Sequence, residues 1–205
     1  MLIAENESLR FVWKPPGIPV FAPHHEPDGD CLLARLIAEY PEQSQDFPEG
    51  FAGGIAHRLD TLTSGMVVVA KNPASLRAVR EEWPRLAKFY RFPSAGRVSF
   101  DELVVTEPIA HHPRRADRVV VGGGYHRGKW REAWTRLRRL GNGWWEAEIH
   151  TGVLHQVRAH AAHAGIPLVG DSIYGGGTGT PVLVHVGVVG ASWSQWVPNP
   201  PGPTR

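Results

Sequence analysis

The sequence contains little that would indicate an exported or membrane-bound protein. It has a single cysteine, Cys31, in 205 residues, which excludes an internal disulfide framework and a four-cysteine zinc site. No apolar run reaches the roughly 18 residues that a membrane-spanning helix needs. The N-terminal stretch "MLIAENESLRF" shows neither the basic nor the apolar region of a signal peptide. We therefore predict a cytoplasmic protein without a membrane partner.

The net charge is also small, +2 at pH 7, but it is distributed unevenly. Residues 1–60 hold four Lys and Arg against ten Asp and Glu, whereas residues 111–140 hold nine against two. A local basic block of this kind can bind a polyanion. It can equally form a solvated face of loops and strands, and charge alone leaves both interpretations open.

Motifs of several common enzyme classes are missing. The chain has no Gly-x-Ser-x-Gly nucleophile elbow, and the glycine-rich "VGGGYHRGK" lacks the Lys-Ser/Thr ending of a phosphate-binding loop. Eleven histidines are present, but in the helix predicted at "LHQVRAHAAHAG" only His160 and His163 share a face. A zinc-protease pattern is therefore absent, and we expect no metal site.

The patterns that are present predict an α+β fold. Strands are predicted at "LRFVWK", "GIAH", "GMVVVAKN", "KFYRF" and "WWEAEIHTG", and "PVLVHVGVV" is predicted as the last one. Helices are predicted at "CLLARLIAEY", with Asp30 as the N-cap, after Asn72-Pro73, and at "LHQVRAHAAHAG". In "WWEAEIHTG" the alternation predicts one buried and one solvated face. We expect one two-lobed domain over residues 1–192 and a proline-rich tail over 193–205, in which "VPNPPGPTR" is expected to be frayed.

One short segment, "AHRLDTLTSG" at residues 56–65, raises a functional question. Asp60 follows His57 and Arg58 closely and precedes a polar turn. Taken alone, Asp60 is most simply an aspartate that caps the turn. The alternative is a carboxylate nucleophile that an arginine keeps ionised.

Other segments favour the alternative because, together with the first, they resemble the RluA-type pseudouridine synthases. That family's His-Arg-Leu-Asp motif matches "HRLD", and its Lys-x-Tyr motif matches Lys88-Phe89-Tyr90. "TGVLHQVRAH" and "GIPLVGDSIYG" match two further family motifs, while "WKPPG" and "LVHV" resemble others. The motifs occur in the family's order from about residue 9 to residue 190.

The resemblance implies an enzyme that isomerises a specific uridine of structured ribosomal or transfer RNA to pseudouridine. It also implies the pseudouridine synthase fold, in which a mixed, mostly antiparallel central sheet is flanked by helices and loops and carries the active-site cleft. The reaction involves neither redox change nor hydrolysis, so no cofactor is expected. The family resemblance further suggests a monomer, and no separate N-terminal RNA-binding domain is expected.

The resemblance also assigns roles to individual residues. Asp60 is expected to be the nucleophile, Arg158 to hold it ionised through a two-pronged contact, and Tyr90 to stack on the uracil. Because a base inside folded RNA must be flipped out, Arg58 is expected to fill the space that it leaves. Further RNA contacts are expected from four other residues: His57, Lys14, His155 and Gln156.

One departure from the family pattern supports a second hypothesis. Val153-Leu154 stand where the family usually has Arg-Thr, so a basic RNA contact and a hydroxyl are lost. The alternative function is therefore that of a catalytically weakened family member that binds RNA or assists ribosome assembly. The sequence does not identify the modified uridine.

Overall fold

The computed structural model describes residues 1–202, which form twelve strands and three helices. The strands are β1 (Leu2–Glu5), β2 (Leu9–Lys14), β3 (Ser64–Ala70), β4 (Ala87–Pro93), β5 (Glu102–Val105), β6 (Ile109–His111), β7 (Val119–Val121), β8 (Arg127–Arg131), β9 (Thr135–Gly141), β10 (Trp144–Ile149), β11 (Val184–Val189) and β12 (Ser194–Trp196). The helices are α1 (Leu32–Glu39), α2 (Pro73–Glu82) and α3 (Gln156–His163). The predicted α+β class with a mostly antiparallel sheet is confirmed.

The chain divides into two compact units. The first unit comprises Met1–Leu86 and His185–Pro198, and the second comprises Ala87–Val184 and the segment from Asn199 onward. No helix in residues 1–202 is long and apolar enough to cross a membrane.

In the first unit, the strand order is β1-β2-β3-β11, and β12 pairs with β11. The pairs β1–β2, β2–β3 and β11–β12 are antiparallel. Every residue of β3 is buried, which explains why this strand is a nearly continuous apolar run rather than an alternating one. The core of the first unit includes Phe11, Met66, Val68, Leu76 and Val79.

The two predicted helices of the first unit are present, although one cap differs. Asn72 caps α2 as predicted, because its side chain accepts from the Ser75 N–H. At α1, however, the N-cap is Cys31, whose Sγ accepts from the Ala34 N–H at 3.4 Å. Asp30 instead forms an ion pair with Arg35, so the prediction of an Asp30 cap was wrong.

Two strand predictions in this unit also require correction. "GIAH" forms only an isolated bridge, Ile55 to Val69, because the chain reaches it through left-handed glycines and then leaves the sheet. The segment "PVLVHVGVV" is not the last strand, since β12 follows it and pairs with β11. Side chains hold β12 in place: Trp193 donates to Glu82 at 2.7 Å, and the Trp196 ring covers Gly187.

In the second unit, the larger sheet has the order β4-β10-β9-β5, and a small sheet has the order β7-β6-β8. All of the recorded pairs are antiparallel. Phe92, Trp145, Ala147, Val157 and other apolar side chains form the main core, which the buried face of α3 joins. A second cluster beneath the small sheet contains Ile109, Val119, Ala159 and Tyr174.

The predicted two faces of β10 are confirmed on the apolar side and only in part on the polar side, where His150 is exposed and Glu148 is half-buried. Trp145, Ala147 and Ile149 are buried as expected. Glu146 on the other face is buried as well, between Arg91 and Arg138, which form ion pairs with it. A charged residue in an alternating strand therefore indicated a buried ion pair here rather than a solvated face.

Candidate active site

Asp60 lies in the first unit, at the start of the turn that leads into β3. Its side chain is half-buried, and its carbonyl oxygen accepts from the Thr63 N–H at 3.0 Å. The next carbonyl, that of Thr61, accepts from the Gly17 N–H at 2.9 Å and from Lys14 Nζ at 3.0 Å. The turn that carries Asp60 is therefore tied to the loop after β2.

Lys14 is completely buried, and its ammonium group forms part of that connection. Nζ donates to the carbonyl oxygens of Pro15, Ile18 and Thr61 at 2.8–3.0 Å, and these bonds use all three of its hydrogens. Burial lowers the pKa of Lys14 to about 8, and the charge of Asp60 opposes that shift. Lys14 thus ties the Asp60 turn to the loop after β2 and places a positive charge near the carboxylate, and its RNA contact stays a prediction.

His57 and Arg58 precede Asp60 and differ in their surroundings. His57 is half-buried; its Nε2 accepts from the Val68 N–H at 3.1 Å, and its ring stacks on Trp83 at 4.4 Å between centroids. These contacts anchor the segment before Asp60 against β3 and against Trp83, the residue that follows α2. The Arg58 side chain is exposed, as a residue that enters a nucleic acid requires, and its RNA contact stays a prediction.

Arg158 lies on α3 in the second unit, where it is 5% exposed. Its Nε and Nη2 donate to the two carboxylate oxygens of Asp171 at 2.7 and 2.9 Å. This is the planar, two-pronged arrangement that arginine forms with carboxylates. Asp171 uses that edge of the guanidinium, and the two-pronged contact of Arg158 with Asp60 stays a prediction.

A histidine supports Arg158 from the other side. His155 Nε2 lies 3.0 Å from Arg158 Nη1, and its Nδ1 lies 3.1 Å from Tyr174 Oη. Since a guanidinium only donates, Nε2 must accept and the imidazole proton must lie on Nδ1. His155 also has φ 54°, a left-handed conformation that is uncommon outside glycine and asparagine.

Tyr174 completes this group. Its hydroxyl accepts from the Val119 N–H at 3.0 Å, and its ring centroid lies 5.1 Å from Arg158 Cζ. Burial raises the pKa of Tyr174 to about 12, so the phenol stays neutral at physiological pH. Arg158 is therefore held on three sides by Asp171, His155 and Tyr174.

Gln156 has a structural position rather than an accessible one. Its side chain is buried; the amide donates to Trp134 O and Thr135 Oγ1, and the carbonyl accepts from Thr151 and Val153. The amide nitrogen and the carbonyl oxygen are both hydrogen-bonded within the second unit, and the RNA contact of Gln156 stays a prediction. His155 is likewise engaged through both ring nitrogens, so we assign it to holding Arg158.

Tyr90 lies on β4 of the second unit, directly opposite Ala147 of β10. It is half-buried and packs against the main core of that unit. Lys88, two residues earlier, is buried and donates to the His150 carbonyl at 2.8 Å. Burial lowers the pKa of Lys88 to about 8.

The structure thus places Arg158, His155 and Gln156 in one region of the second unit, and it joins Lys14 to the turn of Asp60 in the first. Two residues of the Arg158 region, Asp171 and Tyr174, were not predicted as site residues. The signal for them was the motif "GIPLVGDSIYG", which contains both residues and matches a family motif. Within residues 1–202, no three His, Cys, Asp or Glu side chains are arranged to hold a metal ion.

The sequence model of a protein family described as RNA pseudouridylate synthase matches residues 9–163 of the chain. The chain belongs to this family. The matched segment contains both Asp60 and Arg158.

Curated relatives agree with this assignment. The chain is 34% identical over 184 residues to ribosomal large subunit pseudouridine synthase D of Escherichia coli K12, and the aligned region covers 85% of this chain and 52% of the relative. It is also 34% identical over 191 residues to an uncharacterized RNA pseudouridine synthase of Synechocystis, covering 84% of this chain and 54% of the relative. The chain spans about half the length of these relatives.

Solved structures show the same fold. Human RNA pseudouridylate synthase domain containing 1 superimposes with a TM-score of 0.78 at 21% identity, covering 98% of this chain and 82% of the other. Human RNA pseudouridylate synthase domain containing 4 gives a TM-score of 0.69 at 18% identity, covering 91% and 82%. The predicted pseudouridine synthase fold is therefore confirmed.

Proposed function

We propose that the protein is an RNA pseudouridine synthase that isomerises a specific uridine of structured ribosomal or transfer RNA. The observation that carries the proposal is the family match over residues 9–163, a range that contains "HRLD" and "HQVRAH". The curated relative named as a large-subunit ribosomal synthase supports ribosomal RNA as one substrate class.

In the proposed reaction, the N1–C1′ bond of uridine breaks, the uracil turns, and C5 bonds to C1′ while the C5 proton is lost to solvent. N1 then carries a proton, so atoms balance without an oxidant or a hydrolytic water. Asp60 acts as the nucleophile, and either C6 of the base or C1′ of the sugar is its point of attack. Arg158 favours the ionised form of Asp60, and Tyr90 stacks on the flipped uracil.

The surroundings of each residue support these roles. The buried charge of Lys14 favours an ionised Asp60 from within the first unit. In the second unit, Arg158 is fixed in a single orientation by its fork with Asp171, as a preorganised electrostatic group needs to be. Arg58 is exposed and fills the place of the flipped base. The protein acts as a cytoplasmic monomer that needs neither metal nor cofactor.

The departure at Val153-Leu154 favours a second candidate, an RNA-binding or ribosome-assembly factor with weakened catalysis. Val153 packs against the cluster beneath the small sheet, and Leu154 is exposed, so neither supplies the polar contact that the family pattern has there. This candidate predicts RNA binding without modification.

One experiment separates the two candidates. A strain lacking the gene is complemented with wild type or with Asp60→Ala, and pseudouridines in its total RNA are mapped by carbodiimide reactivity. The enzyme proposal predicts a modified site with wild type that disappears with the variant. RNA binding with no site that depends on the gene would support the second candidate.

A further inference from the structure

The basic block of residues 111–140 divides into two parts in the structure. Each arginine of β9 has a carboxylate partner: Arg136 pairs with Glu148, Arg138 with Glu146, and Arg139 with Asp101. Four cations around the small sheet are exposed, and their side chains have no carboxylate partner within residues 1–202: Arg114, Arg127, Lys129 and Arg131. The uncompensated positive charge of the block therefore lies on the small sheet.

An exposed aromatic side chain accompanies these cations. Tyr125, in the turn between β7 and β8, is 82% exposed. The turn is formed by Gly122, Gly123 and Gly124, all with positive φ. It is held by the His126 ring, whose Nδ1 lies 3.0 Å from Gly124 O and whose centroid lies 4.4 Å from that of Trp130. The turn is thus an organised structure that projects a tyrosine into solvent.

Unpaired cations beside an exposed tyrosine fit one class of ligand. Phosphates bind the cations, and an unpaired base stacks on the aromatic ring, which is how proteins hold single-stranded nucleic acid. A duplex would offer phosphates but no free base face for Tyr125. An alternative role for the cations of β8 is to keep this edge strand from pairing with other molecules. That role would not require an exposed tyrosine at the tip of the turn.

The small sheet is also attached to the Arg158 region of the second unit. Its β6 and β7 contribute Ile109 and Val119 to the cluster that contains Tyr174 and Ala159 of α3. The Val119 N–H donates to the hydroxyl of Tyr174, the residue beneath Arg158. RNA bound on the small sheet would therefore be connected to Arg158 by a short, packed route.

We propose that the small sheet is a docking surface for an unpaired segment of the substrate RNA. Arg114, Arg127, Lys129 and Arg131 bind its phosphates, and Tyr125 stacks on one of its bases. The proposal rests on the proposed function for the identity of the RNA as substrate, and it adds the place where nucleotides outside the active site are held.

The test measures fluorescence anisotropy of a labelled RNA strand of about 12 nucleotides, alone and annealed to its complement. Wild type should prefer the single strand. The triple variant Arg127→Ala/Lys129→Ala/Arg131→Ala should bind more weakly. The slope of log K against the logarithm of the salt concentration should be less negative for this variant by about 2. Tyr125→Ala should bind about 5- to 100-fold more weakly, whereas Tyr125→Phe should bind like wild type.

Arg136→Ala is the matched control, because Arg136 is an exposed arginine of the same block that is already neutralised. It should leave affinity and salt dependence unchanged. Equal losses for Arg136→Ala and the triple variant, or an unchanged affinity for Tyr125→Ala, would overturn the proposal. Thermal melting of each variant confirms that it is folded.

Activity assays separate this inference from the proposed function. If wild type modifies RNA, the docking variants should raise KM and leave kcat nearly unchanged. Normal KM in these variants would refute the docking surface while the enzyme proposal stands. Single-strand binding that depends on Tyr125, without any modification of RNA, would refute the enzyme proposal and leave the docking surface supported.

Discussion

At the scale of single residues, Arg158 is the group whose setting matters most to the proposed chemistry. It is buried together with Asp171, which is 1% exposed, and both of its forked donors are satisfied there. Removal of one partner from a buried ion pair strongly destabilises a protein, because the other charge remains buried without compensation. Asp171 is therefore a positioning residue for Arg158.

We predict that Asp171→Asn lowers kcat on the order of tenfold to a hundredfold with little change in KM, because Arg158 loses its fixed orientation. Single-turnover kinetics on a modified transcript measure the effect, and Asp171→Glu should restore part of it. Asp30→Asn breaks the exposed ion pair with Arg35 and should leave kcat unchanged. Equal kcat for Asp171→Asn and wild type would show that the fork has no role in the reaction.

Lys14 gives a pH-dependent prediction. Its pKa is about 8 in the folded protein and 10.5 without burial, so between these values the unfolded chain binds more protons. The contribution of Lys14 to the free energy of unfolding must therefore increase as pH rises through this window. Urea unfolding from pH 7 to pH 10 should show a less positive slope for Lys14→Met than for wild type.

The same variant should be less stable at pH 7 by on the order of 2 kcal/mol, because the carbonyls of Pro15, Ile18 and Thr61 lose the hydrogen bonds of the ammonium group. Lys71→Met serves as a control, since Lys71 forms a partly exposed ion pair with Glu5. This substitution should lower the free energy of unfolding much less than Lys14→Met does. Identical pH slopes for wild type and Lys14→Met would mean that Lys14 has an ordinary pKa in the folded protein.

Residue type alone did not reveal the positions of Lys14 and Gln156. Both are polar residues inside motifs that resemble an RNA-modifying family, and an RNA contact was the natural expectation. Their partners, however, are mainly backbone carbonyls and amides, and some of these are distant in sequence, such as Thr61 O for Lys14 and Trp134 O for Gln156. Such partners do not depend on side-chain identity, so the sequence carries no pattern that would indicate them.

At the scale of secondary structure, local signals predicted helices well and strands less completely. Asn72-Pro73 marked the start of α2 because the cap and the first-turn proline act within four residues. β12 was missed because it depends on distant partners, namely β11 and Glu82, which bonds Trp193. The proline-rich composition around it indicated a loose tail instead.

Gly65, at the start of β3, permits the close approach of β11. Its φ is 124°, and an added Cβ would lie 2.3 Å from the His185 carbonyl oxygen. We predict that Gly65→Ala destabilises the protein by about 3 kcal/mol or more and disturbs the adjoining Asp60 turn. Thermal or urea unfolding measures this.

Gly17 provides the matched comparison for Gly65. It also has a positive φ, 90°, but no atom lies within 4 Å of the added Cβ. Gly17→Ala should therefore lower the free energy of unfolding only by the cost of holding a residue with a Cβ at positive φ, about 1–2 kcal/mol. If the two variants lost equal stability, the close contact with β11 would not be the reason for glycine at position 65.

At the scale of the whole molecule, the proposed catalytic residues come from both compact units. Asp60 belongs to the first, while Arg158 and Tyr90 belong to the second. The first unit itself combines the N-terminal segment with residues His185–Pro198, since β11 completes the sheet that β1 to β3 begin. Periodicity predicted most of these elements but not this arrangement; the order of the family motifs predicted the fold.

The central claim is that Asp60 performs the isomerisation of uridine, and tritium release tests it most directly. RNA transcribed with uridine tritiated at C5 loses that label to water only when C5 forms its bond to C1′. With the transcript identified by carbodiimide mapping, wild type should release tritium, and Asp60→Asn should bind the RNA with similar affinity but release none. Release by Asp60→Asn at the rate of wild type would contradict the claim.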